Sequence, residues 1–314
     1  MTQRVLVLGG SGYVGRNVAR VLVASGAGQV VAAARRPRPG QPGVEALALD
    51  ATDAGALESA LRHVDWVVNC VSGDGPTLLA SARALARAAA RARRQSGIVH
   101  LSSMAVYGPV EGVVDEHSPL VGGPGAYAAA KLQSELALAG LPRCVILRPG
   151  CIYGRGSPQW SLRIARLLRS GRIGDLGAAG QGRCNLVHVD DVASAVVAAI
   201  ATPATQGAAF NLAMRDPPTW NGYFDLFARA LGIVPARVPG HRLAVEAGVV
   251  APLLVAARTL ASWTGFGGAR IPCPIPASLL RLWRQDIVLD PGKAEHVLRL
   301  AWTPLERGVS ARHQ

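Results

Sequence analysis

The chain has 314 residues, half of them hydrophobic, and a net charge of +13 from 33 basic and 20 acidic side chains. That length accommodates one large α/β domain or two interleaved ones, with ample apolar content for a core. Only Lys131 and Lys293 are lysines, and the arginines are spread along helix-like stretches (Arg83, Arg87, Arg91, Arg93, Arg94) without interleaved aromatics; this reads as a solvated face and excludes a nucleic-acid partner.

Val5–Leu8 is an apolar run of the length expected for a buried parallel strand. It leads into Gly9-Gly10-Ser11-Gly12-Tyr13-Val14-Gly15, after which helical spacing runs from Val14 to Ala24. A glycine-paced turn between strand and helix lets backbone approach a pyrophosphate and aims a helix N-terminus at its charge. Further strands are expected at Val30–Ala33, Ala46–Leu49, Trp66–Cys70, Ile98–Leu101 and Cys144–Leu147. Helices are expected between them at Ala54–Arg62, Thr77–Arg94 and Ala126–Ala139. This alternation predicts an α/β fold with a Rossmann-type doubly wound parallel sheet. Two later segments, Leu186–Val189 leading into helix Asp191–Ala201, and Phe210–Leu212, read as returns to the same sheet. Residues 1–150 then form the dinucleotide-binding core, with the sheet completed by about 186–213. Residues 151–185 and 214–314 form a smaller, mostly C-terminal substrate-capping region over the carboxyl edge, where ligands bind in open α/β folds. No internal repeat is present, and the one Pro- and Gly-rich tract is the turn Pro37–Gly43.

The five cysteines (Cys70, Cys144, Cys151, Cys184, Cys273) have no paired short spacing, which argues against a metal site or a disulfide framework. The longest apolar candidate, Ala247–Ala257, is too short to cross a bilayer and lies between Glu246 and Arg258, so no membrane span is expected. The first strand starts close to Met1, leaving no room for a signal peptide, and a reducing, cytoplasmic location is expected.

Tyr127 and Lys131 stand four residues apart in Tyr-Ala-Ala-Ala-Lys, so a helix puts both on one face. A tyrosine that exchanges a proton with a carbonyl or alcohol at neutral pH needs its pKa lowered from about 10, and an adjacent ammonium does this. The same lysine reaches the ribose hydroxyls of a nicotinamide nucleotide. Upstream, Ile98-Val99-His100-Leu101 ends in Ser102-Ser103, two hydroxyls suited to donating to a substrate oxygen or, alternatively, to capping a helix. Tyr127 has the corresponding alternative of a helix-face aromatic packed on the core. His100 reads as a strand-packing residue.

These residues resemble the extended short-chain dehydrogenase/reductase superfamily, in particular its NAD(P)-dependent epimerase/dehydratase family. Gly9, Gly12 and Gly15 match the extended-type cofactor turn, Ser103 the catalytic serine, and Tyr127 with Lys131 the tyrosine-lysine pair. Leu147-Arg148-Pro149 with Ile152-Tyr153-Gly154 is similar to the loop that closes over the nicotinamide. Val187-His188-Val189-Asp190-Asp191, Phe210-Asn211-Leu212 and the tail Leu300-Ala301-Trp302-Thr303-Pro304 resemble later landmarks. The resemblance implies cofactor contacts from Ser11, Tyr13, Val14, Ala51, Val71, Lys131 and Pro149, with Asp50 beside the adenine amino group.

The second strand ends Ala32-Ala33-Ala34-Arg35-Arg36, with alanine where the family carries an acid for the ribose hydroxyls. Two guanidinium groups suit a 2′-phosphate, so NADP(H) is expected over NAD(H). Cys151 and Cys184 occupy the places where nucleotide-sugar members carry an asparagine and an arginine, with Arg183 adjacent, and Met104-Ala105 replaces the acidic pair of the dehydratases. The apolar runs Val249–Val255 and Ile271–Pro276, followed by Leu279, Leu280, Leu282 and Trp283, suit a pocket or lid for an apolar carbonyl or alcohol, or else subdomain packing or a dimer interface. The expected function is an NADP-dependent oxidoreductase moving hydride between nicotinamide and a carbonyl or secondary alcohol of a small molecule. The alternatives are a nucleotide-sugar epimerase with tightly bound NAD(P) and a non-catalytic NADP(H)-binding protein. The family also implies a homodimer through the helices at Thr77–Arg94 and Ala126–Ala139.

Overall fold

In the computed structural model, residues 3–37, 41–92, 94–264 and 271–309 are described. The elements run β1 (Arg4–Leu8), α1 (Tyr13–Ala24), β2 (Gln29–Ala34), β3 (Val44–Ala48), α2 (Ala54–Leu61), β4 (Trp66–Asn69), α3 (Gly75–Arg91), β5 (Gly97–Leu101), β6 (Gly112–Val114), α4 (Ala126–Leu138) and β7 (Cys144–Pro149). There follow β8 (Cys151–Tyr153), α5 (Arg163–Arg169), β9 (Leu186–His188), α6 (Val189–Ala201), β10 (Ala209–Leu212), α7 (Trp220–Ala230), α8 (Gly240–Val245), α9 (Ala251–Thr264), α10 (Ala277–Arg284), β11 (Ile287–Leu289), α11 (Gly292–Val297) and α12 (Leu305–Val309). Arg93 and residues 38–40 of the Pro37–Gly43 turn lie outside the described residues.

Among the described residues, seven parallel strands form the main sheet in the order β10-β7-β5-β4-β1-β2-β3. The order reverses between β1 and β4, which opens a crevice at their carboxyl ends. β4 and β5 are buried along their whole length because helices cover both faces, hence their unbroken apolar character. One core lies between the sheet and α1 with α6, built on Val5, Val7, Val18, Leu22, Val192 and Phe210. A second lies on the opposite face, where Leu6, Leu8, Val67 and Ile98 meet Leu57 of α2 and Leu85 of α3. A third, outside the sheet, is built on Tyr153, Ile164, Trp220, Phe224, Phe227 and Trp283.

One expectation about the sheet needs correction. Phe210–Leu212 does return to the main sheet beside β7, but Leu186–Val189 does not: β9 pairs only with β8, in a separate two-stranded sheet. The chain leaves the main sheet at Gly150, whose amide donates to Leu212 O while that of Cys151 donates to Asn185 O. A Cβ at Gly150 would lie 2.1 Å from Asn185 O, so only glycine allows this crossing. A third sheet, β6 with β11, was not anticipated, since strands of three residues are too short to carry a periodic signal.

The apolar run at Ala247–Ala257 is the middle of a longer helix. α8 continues through a π-type turn, Glu246–Val250, into α9. Gly240–Ala261 is, among the described residues, the one helix long and apolar enough to cross a membrane by length and composition. Glu246 and Arg258, which bound the run in sequence, do not stop the helix because both turn inward and find partners in the protein.

Candidate active site

The turn after β1 is shaped by backbone crowding. Gly9 has φ +72°, Gly12 N donates to Gly9 O at 2.9 Å, and a Cβ on Gly15 would lie 2.3 Å from that same oxygen. Gly9 itself backs onto the loop after β4, 2.7 Å separating its ideal Cβ position from Cys70 O. α1 starts at Gly12 without a side-chain cap and without an acid in its first turn. Its first amide groups and dipole therefore face the turn with no internal anion to satisfy them, as a pyrophosphate would require. Ser11, Gly12, Tyr13 and Val14 rim the turn, half-buried, and Val71 lies across from it after β4. Asp50 sits exposed just beyond β3, its carboxylate held below the usual range by the backbone amide and hydroxyl of Thr52.

At the carboxyl ends of β5 and β7 the structure brings Ser103, Tyr127 and Lys131 together. Ser103 caps a short 3-10 turn, Met104–Tyr107, by accepting from Ala105 N at 3.2 Å. Tyr127 is 49% exposed as a residue. Burial pushes the phenol above its usual value, and the nearby Ser103 hydroxyl pulls it partly back. Lys131 is buried, its Nζ 5.9 Å from the Tyr127 ring centroid and donating to Leu101 O at 2.6 Å. Burial depresses this lysine to about 8. Burial thus raises the phenol and lowers the ammonium, and in the free protein this outweighs the expected acidification of Tyr127 by Lys131. Cys70, also buried and beside Lys131, is pushed up to about 12.

Ser102 Oγ is buried with no hydrogen-bond partner among the described residues. His100 packs within β5, with Nδ1 3.2 Å from Asn69 Nδ2, and burial holds it well below its ordinary value. It is a neutral strand histidine.

Beneath α4 lies a buried polar network whose members stand in the sequence landmarks. The Arg148 guanidinium spans both carboxylate oxygens of Glu135, and its Nη1 donates to Tyr107 Oη at 3.0 Å. Tyr107 in turn donates to Asn211 Oδ1 at 2.7 Å. Pro149 follows Arg148 at the end of β7, buried. On the other side of the sheet, Asp191 at the start of α6 accepts from Thr303 N and Oγ1, at 2.9 and 2.7 Å. Cys151 and Cys184 are both buried and face one another, with Cys184 pushed well up by burial and by Cys151. Cys151 also lies close enough to Tyr127 to act on its phenol.

A cleft of about 460 Å³ opens between α1 and the β2–β3 edge, lined by Ser11, Tyr13, Arg16, Arg20, Ala34 and Arg155 among others. Arg20 is paired with Asp190, whereas Arg16 and Arg155 have no carboxylate partner among the described residues. Arg35 and Arg36 are exposed at the end of β2 and do not line this cleft. Sequence reasoning missed Arg16 and Arg155. Arg16 follows Gly15 directly and was legible as a first-turn residue of α1; Arg155 arrives from a distant loop and carries no local signal.

The profile of the NAD dependent epimerase/dehydratase family matches residues 5–213. A 2′-dehydrokanamycin reductase of Streptomyces kanamyceticus is 29% identical over 260 residues, which is 76% of this chain and 70% of that protein. A dTDP-4-dehydrorhamnose reductase of Mycobacterium tuberculosis is 30% identical over 217 residues, 56% of this chain and 64% of that protein. Among solved structures, a UDP-glucuronic acid 4-epimerase from Bacillus cereus in complex with NAD superposes with a TM-score of 0.71 at 18% identity, covering 98% of this chain and 94% of that one. A human epimerase family protein with NADPH gives 0.70 at 21% identity, covering 98% and 97%. These two share the fold.

Proposed function

The chain belongs to the NAD dependent epimerase/dehydratase family of extended short-chain dehydrogenase/reductase enzymes, and we propose that it is an NADP(H)-dependent reductase of a small, fairly apolar carbonyl compound. One observation carries this reading: Tyr127 and Lys131 share one face of α4 at the mouth of the crevice, the Lys131 Nζ 5.9 Å from the phenol ring centroid, with Ser103 just beyond the end of β5 beside them. The glycine turn and the first amides of α1 would hold the pyrophosphate of a nicotinamide dinucleotide, which when bound would supply the hydride. Tyr127, kept protonated by burial, is in the form that gives a proton to a carbonyl oxygen. Ser103 donates to the same oxygen as charge grows on it. Lys131, rooted on Leu101 O and beside the Tyr127 ring, would hold the nicotinamide ribose with its remaining hydrogens.

Reduction as the direction is supported by the names of both curated relatives. The preference for NADP(H) is supported by Ala34 where an acid would repel a 2′-phosphate, and by Arg35, Arg36, Arg16 and Arg155 around the turn. An apolar substrate in place of a nucleotide sugar is supported by Cys151 and Cys184, whose buried thiols offer a diphosphate neither charge nor strong donors. A pair of copies joined through α3 and α4, where Leu136 is 59% exposed, belongs to the same reading.

The test is oxidation of NADPH and NADH by the purified protein against ketones, aldehydes and nucleotide sugars, with Tyr127→Phe in parallel. NADPH consumption on ketones, cut about a hundredfold or more in Tyr127→Phe with NADPH binding intact, is the expected result. Stoichiometric nicotinamide retained on purification, with turnover and no net redox change, would establish an epimerase instead.

A further inference from the structure

We propose that the outward face of the helix Gly240–Ala261 is a membrane-binding surface that seats the protein in the interface of a bilayer rich in anionic lipid. The proposal rests on this surface and is independent of the reaction above.

The helix is amphipathic in the wrong sense for a soluble protein. Val245, Val249, Leu253, Val255 and Leu260 are each more than half exposed, at 53, 56, 66, 51 and 61%. The other exposed positions from Ala244 to Leu260 are alanine, glycine, proline and threonine, so the outer face carries no charge over more than four turns. A surface helix in water shows the reverse pattern. Two ordinary sources of a long apolar helix do not apply, since this one is neither buried in a core nor near the N-terminus.

Beyond its first turn, its charges point inward. Glu246 is buried and takes a two-pronged ion pair from Arg172, whose Nη1 also donates to Cys273 O at 2.7 Å. Arg258 donates to Ile271 O at 2.9 Å. These contacts, with Leu243 in the apolar core outside the sheet, tie the helix to the body along its length. A spanning orientation would break the Glu246–Arg172 pair or carry it into hydrocarbon, so the helix lies in the plane of the interface.

Charge identifies the lipid. Glu246 is the only carboxylate from residue 226 to 264, whereas Arg237 and Arg242 are exposed at the helix N-terminal end, next to Val234 at 91% exposure. Apolar face plus cationic rim complements anionic headgroups over acyl chains. A second copy docked on the same face would set one cationic rim against another.

The test is co-sedimentation of the full-length protein with vesicles of phosphatidylcholine alone and of phosphatidylcholine with an equal part of phosphatidylglycerol. Binding to the second and not the first, weakening as salt is raised, is expected. Val249→Glu with Leu253→Glu should lower the bound fraction about tenfold or more, with melting temperature and NADPH affinity unchanged. Arg237→Glu with Arg242→Glu should lower it at low salt and leave little salt dependence. Wild-type protein left in the supernatant with phosphatidylglycerol vesicles overturns the proposal. So does a wild-type dimer by light scattering that the Val249→Glu/Leu253→Glu protein does not form, because the face is then an interface between copies.

Discussion

Glu135 and Arg148 form a buried two-pronged ion pair directly below α4: Arg148 Nε lies 3.1 and 3.2 Å from the two carboxylate oxygens and Nη2 2.8 Å from one of them. Glu135 is one turn beyond Lys131 on α4, and Arg148 closes β7. The pair fixes the height and rotation of α4 over the sheet, and so the placement of Tyr127 and Lys131.

Glu135→Gln should therefore destabilise the fold by about 3–5 kcal/mol, because it leaves the Arg148 charge buried and uncompensated. Glu135→Leu with Arg148→Met, which removes both charges, should cost clearly less. Urea midpoints of the three proteins check this, and equal losses in both variants would refute the ion-pair account.

Gly15→Ala places a Cβ 2.3 Å from Gly9 O and must deform the turn. NADPH affinity should fall by about tenfold or more while most of the fold survives, since the contact is local. Gly140→Ala, with nothing within 4 Å of the added atom, is the control and should leave affinity unchanged. Fluorescence titration with NADPH distinguishes them.

Lys131 titrates near about 8 in the free protein. Its ammonium is present below that value and lost above it, so NADPH affinity should decline by up to about tenfold per pH unit above it. Lys131→Met should bind more weakly and show no such decline. The same depression means that the unfolded chain binds a proton at this residue between about 8 and 10.5 that the folded one does not. The contribution of Lys131 to stability therefore rises with pH across that window and is most unfavourable below it.

Ala34→Asp sets a carboxylate at the end of β2, where it accepts from ribose hydroxyls and repels a 2′-phosphate. The ratio of kcat/KM for NADPH over NADH should drop about tenfold to a hundredfold, equivalent to roughly 1.4–2.8 kcal/mol. Arg16→Ala should weaken NADPH alone. If NADH is the better donor for the unaltered protein, the arginines around the turn are a solvated surface.

Local chemistry made much of this molecule readable in advance. The run from Val5 through the glycine turn to Ala24, and the four-residue step from Tyr127 to Lys131, depend on neighbours in sequence, and the structure has them as read. Pairing partners were less accessible. Nothing in Leu186–His188 says that Cys151–Tyr153, not the main sheet, will receive it, because a strand's own pattern does not name its neighbour. Charges were the hardest to read: Glu246 and Arg258 looked like the ends of an apolar run until their inward partners Arg172 and Ile271 were seen. The effect of Lys131 on Tyr127 likewise depends on how much water each has lost, a three-dimensional quantity.

The bond from Thr303 to Asp191 sets an order on synthesis. Asp191 opens α6, which covers one face of the sheet, and burial raises its carboxyl, which accepts from Thr303 N and Oγ1. A nascent chain can thread β1 through β10 while the ribosome still holds residue 303, but that carboxylate stays without its donors until the last turns emerge. The α6 side of the sheet is thus completed by residues around 303, and a ribosome stalled near residue 300 should leave a sheet that is assembled yet open to proteases along α6.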